Sequence, residues 1–308
     1  MILVSGSIAY DTIISTVGEF DNNRRESQNN YSYSLYAPHV VRQPGGTGHN
    51  IAYNLGLLYK NQTILTGSVG SDFVIDERLE KYINYTHVVK DEHKLTAGAY
   101  ITNDEANNQI IAFHPAMSSG LYTIPDQKFD YAIIAPDDKA IMISHTKLAK
   151  QSGALVFFDP GQALLFTKEE LSDIFHSLDY LICNDEEAAT IAKLFDTTED
   201  QLTTFCAGVI ITRGAQGVSF YPSLSRHNPF ATTHHRIDIP VYPTDHVVDP
   251  TGAGDALRGG MFALLQGKSL EVSLYGCIMS LTVSHQGTMN HHITMEELEN
   301  KYKLWIGE

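Results

Sequence analysis

Four short, largely apolar runs, Tyr131 to Ala135, Ala154 to Phe158, Tyr180 to Cys183 and Val209 to Thr212, restrict the fold more than any other feature. Strands covered on both faces read as continuous apolar runs, and those of parallel sheets are the usual case. Between the runs, apolar residues recur at helical spacing. The alternation predicts an α/β chain whose parallel sheet carries helices on both faces. Upstream, Ile51, Leu55 and Leu58 share one helical stripe, Thr63 to Val69 reads as a strand, and Phe73 to Tyr82 returns to helical spacing. Met1 to Asp11 reads as a first strand, because its apolar run is short and no basic region precedes it. The buried runs stop at polar or glycine residues, and ligands of open parallel sheets bind beyond such carboxyl ends.

Two stretches break this rhythm. Glu19 to Tyr36 is rich in Asn, Ser and Tyr, and Lys94 to His114 reads as two extended runs joined by a polar turn at Asn103 to Asn108. Together they predict a small β-sheet lid, built from segments of about 13–44 and 94–116 inserted in one domain spanning 1–308. The alternative is a pair of surface excursions with no catalytic part. No internal repeat is present.

Composition narrows the function. A chain of 308 residues with 43% hydrophobic content can bury a full core. Its net charge of -15, without a basic run, argues against nucleic acid and anionic membrane surfaces as partners. Nothing reaches transmembrane length. Cys183, Cys206 and Cys277 show no CxxC spacing, which fits a reducing cytoplasm better than a disulfide framework or structural zinc. The Walker loop, the protein-kinase signatures, HExxH and GxSxG are all missing, and the Gly45 loop fits a dinucleotide fingerprint poorly.

One segment carries chemistry. Val247 to Asp255 runs from an expected short strand end into a glycine-rich turn, and a helix follows with Leu257, Met261, Leu264 and Leu265 on its apolar stripe, stopping near Gly267. Gly252, Ala253 and Gly254 thus open a helix, where free amides and the positive dipole end form an anion hole. Asp255 would repel a phosphate unless it faces the attacking group, which is the place of a general base. Simple helix capping would explain the acid but not the paired glycines. A second cluster, Gly45, Gly46, Thr47, Gly48, His49 and Asn50, also precedes a helix. Its backbone can close over a polar ligand and Asn50 can orient a hydroxyl pair, although glycine there is also ordinary turn chemistry. Asp11 is ambiguous alone.

The Asp249 to Asp255 motif, together with the earlier glycines and Asn50, resembles the ribokinase (PfkB) family, and further motifs occur in that family's order across nearly the whole chain. The resemblance implies a three-layer α/β/α domain with a mostly parallel central sheet and a small lid. It implies that Asp11, Gly45, Gly46 and Asn50 hold substrate hydroxyls, and that Asn184, Thr212, Arg213, Gly214, Gly217 and Thr251 line the ATP site. Glu187, in Asn184-Asp185-Glu186-Glu187, matches the acid associated with organising Mg2+, usually through water. SGSIAYDT at Ser5 to Thr12, NQIIAFHP at Asn108 to Pro115 and FDPG at Phe158 to Gly161 are closer to the bacterial and archaeal adenosine or nucleoside kinases of the family.

That likeness implies transfer from ATP to a ribose 5′-hydroxyl, with adenosine giving AMP. Phe113 is the expected lid aromatic on the base, with Tyr33, Tyr36 and Tyr100 as alternatives. Thr47, Gly48 and His49 stand where the family often has other small residues, so substrate preference is free to differ. A sugar kinase and a non-catalytic binding module remain the rival readings. The histidines of His285 to His292 are expected to be exposed or hydrogen-bonded rather than metal ligands. The loop at Asp249 and this tail would be the place of the monovalent cation that some relatives hold. Relatives include monomers and homodimers.

Overall fold

The computed structural model describes residues 1–27, 30–59, 62–106, 108–115, 122–226, 235–241, 243, 247–248, 251–265, 273, 283–285 and 287–306. Asp249 and Pro250 of the glycine-turn motif, with Asn107, Ala116, Gly267, Cys277 and Gln286, lie outside them.

In chain order the strands are β1 Ile2–Ser5, β2 Ala9–Ser15, β3 Arg24–Ser27, β4 Asn30–Tyr33, β5 His39–Gly45, β6 Thr63–Gly70, β7 His87–Asp91, β8 Ala97–Asn103 and β9 Gln109–His114. They continue as β10 Tyr131–Ile134, β11 Leu155–Phe158, β12 Tyr180–Asn184, β13 Gly208–Thr212, β14 Val218–Pro222 and β15 Ile237–Ile239. The helices are α1 Thr47–Leu58, α2 Glu77–Glu80, α3 Lys139–Gln151, α4 Lys168–Phe175, α5 Asp185–Leu194, α6 Ala253–Leu265 and α7 Met295–Ile306.

Nine strands form the main sheet in the order β15-β14-β13-β12-β11-β10-β1-β6-β7. It is parallel from β7 to β13, and antiparallel only where β14 and β15 add to the edge. The period-two alternation of strand side chains decides the layers. Ile2, Val4, Ile133, Phe157, Ile182 and Ile210 pack with Ile51 and Leu55 of α1, Leu257 and Met261 of α6 and Leu298 of α7. Their neighbours Leu3, Ile134, Val156, Leu181 and Val209 face Met142 of α3, Ile174 of α4 and Ile191 of α5. Three layers result, as the apolar runs predict.

A separate four-stranded sheet has the order β5-β2-β8-β9. Three local expectations are corrected here. The opening stretch is two strands rather than one, so Asp11 belongs to the small sheet. Between them Gly6 abuts the start of α1, where a Cβ on Gly48 would stand 2.6 Å from the Gly6 carbonyl carbon. Phe73 to Tyr82 yields only the single turn α2, because the Tyr10 hydroxyl accepts from Val74 N at 3.0 Å and donates to its carbonyl at 3.3 Å, tying that stretch to β2. The Asn-rich stretch forms its own hairpin of β3 and β4, while residues flanking it supply the small sheet.

Candidate active site

Two glycine-led helices meet over the carboxyl ends of the main sheet. At Gly259 of α6 a Cβ would stand 2.4 Å from the Asn54 Cβ, so this glycine lets α6 lie directly on α1. One turn earlier on each helix stand Asp255 and Asn50, and the close crossing brings them together. Asn50 Nδ2 donates to Asp255 Oδ2 at 2.7 Å. Asn50 is only 4% exposed, and its Oδ1 is buried without a hydrogen-bond partner. An orphaned buried acceptor costs roughly 1–3 kcal/mol, so the arrangement is complete only with a donor beside it.

Both helix starts are led by glycine, and α1 has no side-chain cap at Gly46. Gly46, at φ 93, precedes α1, whose first amides are met from outside: Thr47 N donates to Ser7 Oγ at 3.1 Å and His49 N to the Ser7 carbonyl at 3.1 Å. Gly252, at φ 77, turns the chain into α6, a conformation that an L side chain resists. A Cβ there would also lie 2.6 Å from Thr288 Cγ2. The first-turn amides of α6 lie at a glycine-led helix start, the kind of place where anions bind. Val247 and Val248 are exposed outside any strand, a correction to the expected strand end. Val248 N is satisfied instead by the Val283 carbonyl.

Asp11 reaches the same place from β2. Its carboxylate lies against Gly45, where a Cβ would stand 2.3 Å from Asp11 Oδ2. Burial pushes the Asp255 carboxyl up to about 6, with the charges of Asp159 and Asp11 adding to the rise and Arg258 and the Asn50 hydrogen bond opposing it. That value suits a general base working near neutral pH.

The expected phosphate-binding residues stand at neighbouring strand ends. Asn184 and Thr212 are register partners at the last positions of β12 and β13. Asn184 forms a reciprocal capping box with Glu187: Glu187 N donates to Asn184 Oδ1 at 2.8 Å, and Asn184 N to Glu187 Oε2 at 2.9 Å. Gly214 and Gly217 hold positive φ in the turn after β13. The Arg213 guanidinium is committed to Glu199 at 2.6 Å, Ser219 at 2.9 Å and Tyr221 at 3.2 Å, while its N–H donates to the Gly217 carbonyl at 2.8 Å and its carbonyl accepts from Gln216 N at 3.0 Å, so Arg213 braces the turn rather than offering a free group to a ligand. Thr251 is exposed at the turn before α6.

Burial and the nearby Asp159 push the Glu187 carboxyl up to about 7, against the Asn184 amide and Arg258. Asp159, Glu187 and Asp255 thus share the single guanidinium of Arg258, and this surplus of negative charge fits a divalent cation close by. No group of three metal-ligating side chains converges among the described residues. The carboxylate of Glu187 in this setting fits a hydrated magnesium ion held through water.

Phe113 lies on β9, on the Asp11 face of the small sheet. Register aligns Gln43, Asp11, Ala99 and Phe113 in one row across four strands. Tyr100 falls on the opposite face by alternation, and Tyr33 on the separate hairpin. Of the tail histidines, buried His291 pairs through Nε2 with Asn54 Oδ1 at 2.7 Å, which braces α1. Sequence reasoning missed the buried pair of Arg258 and Asp159. Arg258 follows Asp255 by three residues on one helix face, and Asp159 directly follows the buried strand β11, but nothing local joins the two.

A family model described as pfkB family carbohydrate kinase matches residues 10–294. The chain belongs to this family. Among its relatives, the nucleoside kinase of Methanocaldococcus jannaschii is 30% identical over 247 residues, 77% of this chain and 78% of that protein. The structure of Burkholderia thailandensis nucleoside kinase in complex with inosine superposes with a TM-score of 0.84 at 30% identity, covering 100% of this chain and 99% of that one. The M. jannaschii structure, described as an archaeal member of the ribokinase family, gives 0.85 at 25% identity, with 98% of each chain covered. The three-layer core with its small separate sheet is therefore the ribokinase-like fold.

Proposed function

We propose that this pfkB-family kinase transfers the γ-phosphoryl group of ATP to the ribose 5′-hydroxyl of a nucleoside, with adenosine, giving AMP, as the acceptor used best. The observation that carries the reading is the divided Asn50 amide. Its NH2 holds Asp255 at 2.7 Å and its buried oxygen waits for a hydroxyl, so one side chain ties the proton acceptor to the group that loses the proton.

Asp11 and Asn50 hold the ribose hydroxyls against the Gly45 and Gly46 backbone. The 5′-oxygen attacks the γ-phosphorus as the bond to the ADP oxygen breaks, and its proton passes to Asp255. Amides of Gly252, Ala253 and Gly254 stabilise the charge on the transferring oxygens. Asn184, Thr212, Gly214, Gly217 and Thr251 line the ATP phosphates, on a turn that Arg213 braces. Magnesium, when bound near Glu187, supplies charge neutralisation on those phosphates.

The small sheet serves as the lid. In the row beside Asp11, Val41, Ile13, Ile101 and Ile111 follow on the same face, so an apolar surface adjoins the ribose anchor. Phe113 is 55% exposed and Ile111 59%, and a purine stacked there would cover both. The nucleoside kinases among the relatives support a nucleoside over a free sugar. Cys183 and Cys206 are free and buried, as a reducing cytoplasm would leave them.

The test is ADP release across a panel of nucleosides and free sugars with magnesium and ATP. Adenosine should give the highest kcat/KM. A higher value for ribose or fructose would reassign the acceptor, and tight binding without ADP release would indicate a non-catalytic module.

A further inference from the structure

Beneath the transfer site lies a buried ion pair. Arg258 Nη2 meets Asp159 Oδ2 at 2.8 Å, with both side chains below a tenth exposed. The same guanidinium donates from Nη1 to the Gly254 carbonyl at 2.8 Å, reaching back one turn along α6. Gly254 admits this contact, since a Cβ there would stand 2.9 Å from Nη1. Asp159 is fixed in turn, accepting from Gly161 N at 3.0 Å just beyond the carboxyl end of β11.

Stability alone does not account for this pair. Desolvating two ions commonly offsets their attraction, so a buried ion pair is a weak source of stability. Arg258 also leaves its Nε buried without a partner, and it sets a cation near a helix amino terminus, where the macrodipole opposes it. Those costs fall at the one turn whose amides face the phosphoryl group.

We propose that Arg258, clamped by Asp159, is a positioning residue of the transfer site: it anchors the Gly254 carbonyl, and so the first turn of α6, and presents a fixed positive charge to Asp255. The proposal rests on the kinase reading above and deepens it. The groups facing Asp255 are Asn50 from α1, Asp11 from β2, Asp159 beyond β11 and Arg258 on its own helix, while the other titratable group at the start of α1, His49, pairs with Tyr85 at 2.7 Å. Arg258 is the cation of this set. Its charge favours the carboxylate of Asp255, whereas the charge of Asp159 disfavours it.

The two partners therefore act on Asp255 with opposite signs. The experiment compares wild type, Arg258→Met, Arg258→Lys and Asp159→Asn by the acid limb of kcat/KM for the acceptor that the wild type uses best. The limb should move up by on the order of one pH unit in R258M, move down in D159N and stay near wild type in R258K. Direct titration of the Asp255 carboxyl by 13C NMR without substrate, identified by its loss in D255N, should shift with the same signs. That second readout separates failure of this inference from failure of the kinase reading, because it needs no turnover. If R258M does not fold, the downward shift in D159N carries the test. Shifts of the same sign, or none beside a lowered Tm, would overturn the proposal.

Discussion

The side chains of Asn50 and Asp255, 205 positions apart in the chain, share a hydrogen bond of 2.7 Å at the crossing of α1 and α6. Removing the Asn50 amide takes away both this bond and the buried acceptor. Asn50→Ala should lower kcat/KM for the nucleoside by about 10- to 100-fold, the scale of a hydrogen bond to a charged group. KM for ATP should stay within about twofold, as initial-rate kinetics with each substrate varied would show.

The contact between Gly45 and Asp11 sets a second expectation. A Cβ at Gly45 would stand 2.3 Å from Asp11 Oδ2, so Gly45→Ala must displace the carboxylate proposed to anchor the ribose. KM for the nucleoside should rise by about 10-fold or more, the equivalent of ~1.4 kcal/mol. Isothermal titration should show ATP binding unchanged.

The proposed contact of Phe113 with the base would separate a nucleoside from a bare sugar. Truncation in Phe113→Ala removes an aromatic contact worth about 0.5–1.5 kcal/mol, so adenosine KM should rise about 2- to 10-fold. A free sugar has no base to stack, and its much weaker turnover should not change.

The acid side of the rate profile follows from Asp255. Burial raises its carboxyl to about 6, and only the carboxylate accepts a proton. Activity should therefore be level above that pH and fall as pH drops through about 6, approaching tenfold per unit. A profile of kcat/KM between pH 5 and 8 checks it.

Much of this architecture was legible because buried parallel strands write themselves as apolar runs: Tyr131–Ile134, Leu155–Phe158, Tyr180–Asn184 and Gly208–Thr212 all appear within a residue or two of expectation. The glycine turn before Asp255 and the cluster before Asn50 were also visible, since Gly252 and Gly46 hold positive φ where the chain turns into a helix. Long-range contacts were harder to see. Tyr10 holds the stretch at Val74 extended against its local helical pattern, and no window of sequence contains both residues. Likewise, Arg258 reads as an ordinary polar position on an amphipathic helix until the fold sets Asp159 beside it. Asp11 was assigned to the wrong strand, because the break at Gly6 depends on the backbone of Gly48.

The central claim is that Asp255 takes the proton from the acceptor hydroxyl. Its most direct test is kcat for ADP release with adenosine and magnesium ATP in Asp255→Asn, with folding confirmed by an unchanged thermal transition. The amide keeps the shape but cannot accept the proton, so kcat should fall by about 10²- to 10⁴-fold, the usual contribution of a general base. Turnover within a few-fold of wild type would contradict the account.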